Sequence, residues 1–347
     1  MEIINNNNMM NGYERINAAL NGEWPDKRPV MLHNFMMAAK EAGFTQKEYR
    51  EDPEKIAKAH IQAVEKYRYD GVLIDVDTAT LAEAVGVPVD FPMEEPARTY
   101  GVMLKTLEEV DNLETPDISK NGRIQIWLES CRLAKKYFGD EIYIRGNCDQ
   151  APFSLASMMR GPAEWMMDLL TGDPRVFDLL DFCTDATTQF IELMAETGVD
   201  MVSNGDSPAG PEMISAEMFR KFALPYEKRI VQKAHDLNQP YCLHICGNTD
   251  IILDAMKESG MDAVELDYKT DIHKIFERFS KDLAFIGNID PSGIIARGTV
   301  LDVEEKTREL LDIYKDSPRL IVNAGCAIPP DTPPENLRKM IEVARKG

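Results

Sequence analysis

No stretch of the 347-residue chain approaches the ~18 consecutive apolar residues that a membrane-spanning helix needs. Basic residues are few: 39 Lys and Arg stand against 59 Asp and Glu, a formal charge of −20. Nucleic-acid phosphates and anionic lipid surfaces both require clustered cations, so the balance argues against either as a partner. Cysteine is scarce as well. The six present show no disulfide-framework spacing, and in a reducing compartment such residues more often serve metals or catalysis. The N-terminus lacks the basic start and apolar core of a secretory signal, so a cytoplasmic chain is expected. Its Asn5 to Asn8 run reads as a frayed polar tail. Core-forming residues are not lacking: 44% of the chain is hydrophobic and 28% charged, a globular composition.

Short β-branched or apolar runs alternate with long helical patterns. Strands are expected at 29–33, 71–77, 142–147, 199–204, 240–245, 262–266, 283–288 and 319–323. Most are near-continuously apolar, as strands buried on both faces should be. Amphipathic helices are expected at 53–67, 122–137, 175–197, 215–237 and 302–314. Helix-start signals recur at Asp52 before Pro53, at Ser215, and at Thr332 before Pro333. Eight strands alternating with helices point to a (β/α)₈ barrel, with an open doubly wound sheet as the competitor. The composition shows no break, so residues 1–347 are read as a single barrel domain. Residues before about Asp26 form an N-terminal helical cap, and the proline-rich stretch 86–125 is an insertion after strand two.

Two strand ends carry the most chemistry. Strand five reads Tyr241-Cys242-Leu243-His244-Ile245-Cys246-Gly247, and strand eight ends at Asn323-Ala324-Gly325-Cys326. Residues two apart on a strand share a face, so His244 and Cys246 project together. Gly247 ends that strand, which puts the pair at the C-terminal rim, where active sites of this fold lie. Cys326 ends strand eight at the same rim. One His and two Cys form a donor set suited to a zinc ion with an open fourth position. Plain burial is the competing reading, because free cysteine is often core. Cys242 lies deeper on the same face. Cys131 and Cys183 fall in helical patterns, and Cys148 follows strand three.

At this point the residues resemble a family. The segments are 15–22 (Arg-Ile-Asn-Ala-Ala-Leu-Asn-Gly), 26–30, 151–156 (Ala-Pro-Phe-Ser-Leu-Ala), 287–291 (Gly-Asn-Ile-Asp-Pro) and 323–337. They are similar to those of the uroporphyrinogen decarboxylase superfamily, whose fold is a (β/α)₈ barrel. The decarboxylase branch carries an Arg-Gln-Ala-Gly-Arg loop after strand one that clamps substrate carboxylates. Here residues 33–40 read His-Asn-Phe-Met-Met-Ala-Ala-Lys, with no arginine, and Cys326 stands where decarboxylases have His. The zinc- and cobalamin-dependent methyltransferase branch carries His-x-Cys followed far downstream by Cys. This chain matches that motif at His244, Cys246 and Cys326.

The resemblance implies zinc bound by those three residues, which are also the catalytic candidates. It further implies methylcobalamin or another corrinoid presented by a small partner protein, since no corrinoid-carrying segment is visible in the chain. Zinc would activate a thiol that accepts the methyl group. The alternatives are donor-side transfer from a methoxy or methylamine-type substrate to cobalt(I), and metal-free uroporphyrinogen decarboxylation. Substrate contacts are expected from Asp77, Glu83, Asn147, Asp206, Tyr268 and Asn288, with Asn204 a further hydrogen-bonding candidate. Glu83 and Asp206 are also candidates for a fourth zinc ligand. Asp75, Asp149, Asp267 and Asp290 add to an acidic rim. Arg145 and Arg160 are the basic candidates near it, and Met36 and Met158 could line an apolar wall.

Overall fold

The computed structural model describes residues 9–346. The asparagine tract at positions 5–8 lies outside them. Among the described residues ten strands form: β1 Met31–Leu32, β2 Gly71–Ile74, β3 Val89–Asp90, β4 Arg98–Thr99, β5 Tyr143–Gln150, β6 Met201–Gly205, β7 Tyr241–Ile245, β8 Ala263–Leu266, β9 Ala284–Ile289 and β10 Leu320–Ala324. Eight of them make one parallel sheet in the order β1-β2-β5-β6-β7-β8-β9-β10. A parallel bridge between Val30 and Val322 joins its two edges, with the Val322 N–H donating to the Pro29 carbonyl at 2.9 Å. The sheet is therefore a (β/α)₈ barrel, not an open doubly wound sheet. β3 and β4 form a separate antiparallel hairpin within the insertion that follows β2.

The expected strands differ from the observed ones mainly at their ends. The second stops at Ile74, because Asp75 and Asp77 turn their carboxylates onto local backbone N–H groups. The third runs on to Gln150 across an irregularity in its pairing with β6. The stretch 215–237, expected as one helix, is three pieces: Ala216–Met218, a π-helical turn Phe219–Ala223, and Leu224–Asp236. Pro225 explains the break, since it has no N–H to donate to the preceding turn. Asp52 caps the helix Pro53–Tyr67 as its sequence signal suggests. Thr332 does not cap its helix, which begins one residue later at Pro334.

Alternation along each strand divides the core in two. Outward residues such as Val72, Ile144, Val202, Leu243 and Val264 pack against the surrounding helices. Inward residues at the N-terminal end form a second apolar cluster of Met31, Tyr143, Met201, Cys242, Ala263, Ala284, Ile286 and Ile321. The N-terminal helix Gly12–Asn21 closes this end, with Ile16 and Ala19 completing the cluster. The helix is tied down by Arg15, which pairs with Asp26 at 2.6 Å and with Asp70 at 2.9 Å. Gly71 gives Ile16 its space: a Cβ there would lie 2.4 Å from the Ile16 Cδ1. Among the described residues no helix is long and apolar enough to cross a membrane.

Ile16 is fully buried where the helix meets the barrel floor. Ile16→Ala is expected to cost about 2–4 kcal/mol of unfolding free energy, through lost burial and the cavity left behind. Urea denaturation checks this. A change under 1 kcal/mol would show that the cap packs loosely.

Candidate metal centre

Above the apolar floor the barrel interior becomes polar. Inward positions two residues further along the strands are Arg145 on β5, Ser203 on β6, His244 on β7, Glu265 on β8 and Asn323 on β10. His33 enters just beyond β1 and Asp75 just beyond β2. Most of these groups are partnered with one another, while Ser203 Oγ, Arg145 Nε and His33 Nδ1 are buried without a hydrogen-bond partner among the described residues. The His33 Nε2–H donates to Asp75 Oδ2 at 2.7 Å, and Asn147 Nδ2 donates to Asp75 Oδ1 at 2.9 Å. Arg145 is ion-paired with the Glu265 carboxylate, which also accepts from Asn323 Nδ2 at 3.2 Å. The Asp75 carbonyl is held from behind by the Tyr49 hydroxyl at 2.7 Å. Burial opposes a charge on His33, but Asp75 and Glu265 outweigh it and raise its pKa to about 9. Arg145 and Asn323 meet the Glu265 carboxylate, and His33 and Asn147 meet that of Asp75, which is how a charged layer persists inside a barrel.

His244, Cys246 and Cys326 sit at the C-terminal edge of this layer. Their donor atoms all lie within 4.8 Å of one another. His244 Nε2 is 3.0 Å from Cys246 Sγ, and the two sulfurs are 3.6 Å apart. A disulfide needs about 2.05 Å, so the sulfurs are not bonded. Tetrahedral zinc at ordinary bond lengths sets sulfurs about 3.8 Å apart and a nitrogen–sulfur edge near ~3.5 Å, which the present spacing reaches with small adjustments. The His244 tautomer also suits a metal. Its Nδ1 lies 3.1 Å from the Glu265 carbonyl, which can only accept, so Nδ1 carries a proton. Nε2 points at Cys246 Sγ; burial opposes a charge on the ring, but the negative charge of Cys246 outweighs it and raises the His244 pKa to about 8, and a metal would take the place of the Nε2 proton. The hydrogen bond from Cys326 lowers the Cys246 pKa; burial opposes this, and His244 reinforces it. The same hydrogen bond raises that of Cys326.

Two glycines let the segments meet. Gly247 takes φ +85°, turning the chain immediately after Cys246. At Gly325, a Cβ would lie 2.7 Å from the Leu266 carbonyl oxygen and 2.8 Å from the Tyr268 nitrogen. Its absence allows the end of β10 to lie against the end of β8 and brings Cys326 to the pair on β7.

The structure places the remaining candidates unevenly. Asn147 joins the interior network through Asp75. Asp77 is buried, and its carboxylate accepts from the Ala79 and Thr80 N–H groups and the Thr80 hydroxyl ahead of and at the start of the helix Thr80–Val85, outside the three-donor group. Glu83 accepts from Asn121 Nδ2 at 2.9 Å and lines a surface cleft with Glu51 and Arg123. Asp206 is fully buried, accepts from the Ser154 N–H and hydroxyl, and has its pKa raised to about 6 by burial. Neither Glu83 nor Asp206 is brought to the metal donors. Asn204 is bound to the Cys148 carbonyl and the Tyr241 hydroxyl. Cys148 lies in the outer apolar cluster. Tyr268 and Asn288 line a cleft of about 500 Å³ with Ile272, Ile294, Leu310 and Ile313. Arg160 is bound to Asp168 and the Leu104 carbonyl. Met36 and Met158 pack half-buried against the core.

Sequence reasoning missed His33 and Glu265. A usable signal existed: Arg145 and Glu265 are opposite charges in the middle of strands read as buried, and such charges must find partners.

The family model described as uroporphyrinogen decarboxylase (URO-D) matches residues 11–347, and the chain belongs to this family. A methylcobamide:CoM methyltransferase, MtbA, of Methanosarcina acetivorans is 30% identical over 336 residues, covering 96% of this chain and 97% of that protein. A uroporphyrinogen decarboxylase of Geotalea uraniireducens is 25% identical over 300 residues, covering 85% of each. Among solved structures, a methyltransferase from Methanosarcina mazei has the same fold, with a TM-score of 0.88 at 24% identity, covering 97% of this chain and 99% of that one.

His33 generates a pH prediction. Its folded pKa, about 9, lies above the ordinary 6.5, so the folded state holds this proton more tightly than the unfolded state. The resulting stability is full below pH 6.5 and is lost as the pH rises through about 9. The His33 contribution to the unfolding free energy of the metal-free protein is expected to fall by up to about 3 kcal/mol across that window, so the difference between wild type and His33→Gln should shrink by that amount. Urea melts at a series of pH values decide it; parallel curves for the two proteins would refute it.

Proposed function

We propose that the protein is a zinc-dependent methyltransferase that moves a methyl group between a corrinoid and a small substrate, in the direction of a thiol acceptor. The observation that carries this reading is the convergence of His244, Cys246 and Cys326 at one end of the barrel, with donor spacing suited to zinc. The MtbA relative supports the methyl-transfer class, being named for methylcobamide and coenzyme M.

His244 Nε2 and the two cysteine sulfurs would hold the metal. A zinc ion bound there would supply Lewis acidity that lowers the pKa of an incoming thiol, so that its proton leaves to water and its sulfur is held as a thiolate for a methyl-cobalt corrinoid. The two thiolates would balance the dication, so a third, anionic sulfur would leave the centre with one net negative charge, which favours nucleophilicity of that sulfur. The Glu265 carbonyl keeps His244 in the metal-binding tautomer. Asn147 and Asp75 lie on the inner wall of the barrel near its C-terminal end, as polar contacts for the substrate. A small corrinoid protein is the partner, presenting methylcobalamin at the mouth. The free cysteines fit a reducing, cytoplasmic setting. Among the described residues no arginine clamp faces the interior to hold a polycarboxylate, since Arg145 is committed to Glu265 and Arg160 to Asp168. This disfavours porphyrinogen decarboxylation.

Metal analysis of the purified protein should give about one zinc per chain, with most of it lost in Cys326→Ala. Methylcobalamin mixed with a panel of thiols should then yield cobalt(I) by its visible spectrum, with the rate reduced at least ~100-fold in Cys326→Ala. Zinc without turnover on any thiol would turn the reading to the donor-side direction. A zinc-free protein that decarboxylates uroporphyrinogen would overturn it.

A further inference from the structure

Three metal donors come from two places: His244 and Cys246 share one strand, while Cys326 arrives alone on another. Something must set the distance between them. Glu265 lies between the two places and is 1% exposed. Its carbonyl accepts from His244 Nδ1 at 3.1 Å. Its carboxylate, paired with Arg145, accepts from Asn323 Nδ2 at 3.2 Å and lies 3.7 Å from His33 Nδ1. Asn323 is three residues before Cys326, and its Oδ1 accepts from the His33 N–H at 3.3 Å. Two residues after Cys326, the Ile328 N–H donates to the His33 carbonyl at 2.8 Å. The turn that carries Cys326 is thus tied on both sides to residues that meet at Glu265. The carboxylate itself stays outside the three-donor group.

We infer that Glu265 is a positioning residue for the metal: one residue orients His244 through its carbonyl and places Cys326 through Asn323. The inference rests on the zinc reading above. Partners of this kind typically change metal affinity about 10–100-fold without touching the metal. The paired charges behind the carboxylate serve this end, because Arg145 fixes its position and neutralises its charge.

The test uses the full chain with zinc, and then with cobalt(II) in its place as a visible reporter of ligand geometry. Asn323→Ala cuts the tie to Cys326. The double variant R145M/E265M removes the buried pair as a unit, an exchange that commonly leaves stability intact. R145M/E265Q also lacks the pair but keeps an amide oxygen for Asn323. Zinc affinity, measured by competition with a chromophoric chelator, should fall about 10–100-fold in Asn323→Ala and in R145M/E265M, with altered cobalt bands. R145M/E265Q should recover most of the loss. Thermal melts confirm that each variant is folded. Wild-type affinity and spectrum in Asn323→Ala and R145M/E265M would overturn the inference. So would loss in both Glu265 variants with normal binding in Asn323→Ala, since the carboxylate would then be bonded to the metal itself. A wild-type protein that holds no zinc would instead sink the zinc reading beneath it.

Discussion

The ion pair of Arg145 and Glu265 inside the barrel is the interaction on which the upper half of the molecule depends. Both side chains are almost fully buried, at 2% and 1% exposure. Removing either partner alone would leave an uncompensated charge in a low-dielectric interior, at a cost of several kcal/mol. The pair is not isolated. Glu265 also receives Asn323 and faces His33, and His33 is bound to Asp75. Two cations and two carboxylates thus balance across four different strands or strand ends. Such a layer contributes little net stability compared with an apolar one of the same volume. What it adds is a defined orientation for every group that borders it.

That orientation matters because the donors of the candidate metal centre stand directly on this layer. His244 takes its tautomer from a carbonyl of the adjacent strand. Cys246 projects just past the end of the same strand, where Gly247 can turn the chain away. Cys326 depends on a close backbone approach that only glycine at 325 permits. The apolar cluster beneath, closed by the N-terminal helix, lets the upper layer be polar by supplying the burial that holds the barrel together.

Much of this was legible from residue order. Eight apolar runs between helical patterns anticipated the barrel, and period-2 alternation put His244 and Cys246 on one face. The helical cap and the insertion after β2 were visible from composition. Strand ends were less so, because side chains such as Asp75 and Asp77 compete for backbone N–H groups there. Acidic residues near the rim were the poorest guide. Asp77, Glu83 and Asp206 lie at or near strand ends in sequence, yet each is used by a helix start or a neighbouring side chain. Sequence position gives the height of a residue in the barrel, not the direction of its carboxylate.

The sequence by itself determined the repeating strand–helix order, the shared face of His244 and Cys246, and the family to which the chain belongs. These follow from local periodicity and short motifs, which need no knowledge of distant contacts. The sequence put Cys326 at the same rim as the other two donors, but tertiary structure decided how near they come, and it alone decided that His33, Asp75, Arg145 and Glu265 form one network behind them. With Asn323, which bonds both Glu265 and His33, those relations join residues up to 290 positions apart. Barrel closure and the stagger of its strands create them, and both are properties of the assembled sheet, not of any one segment.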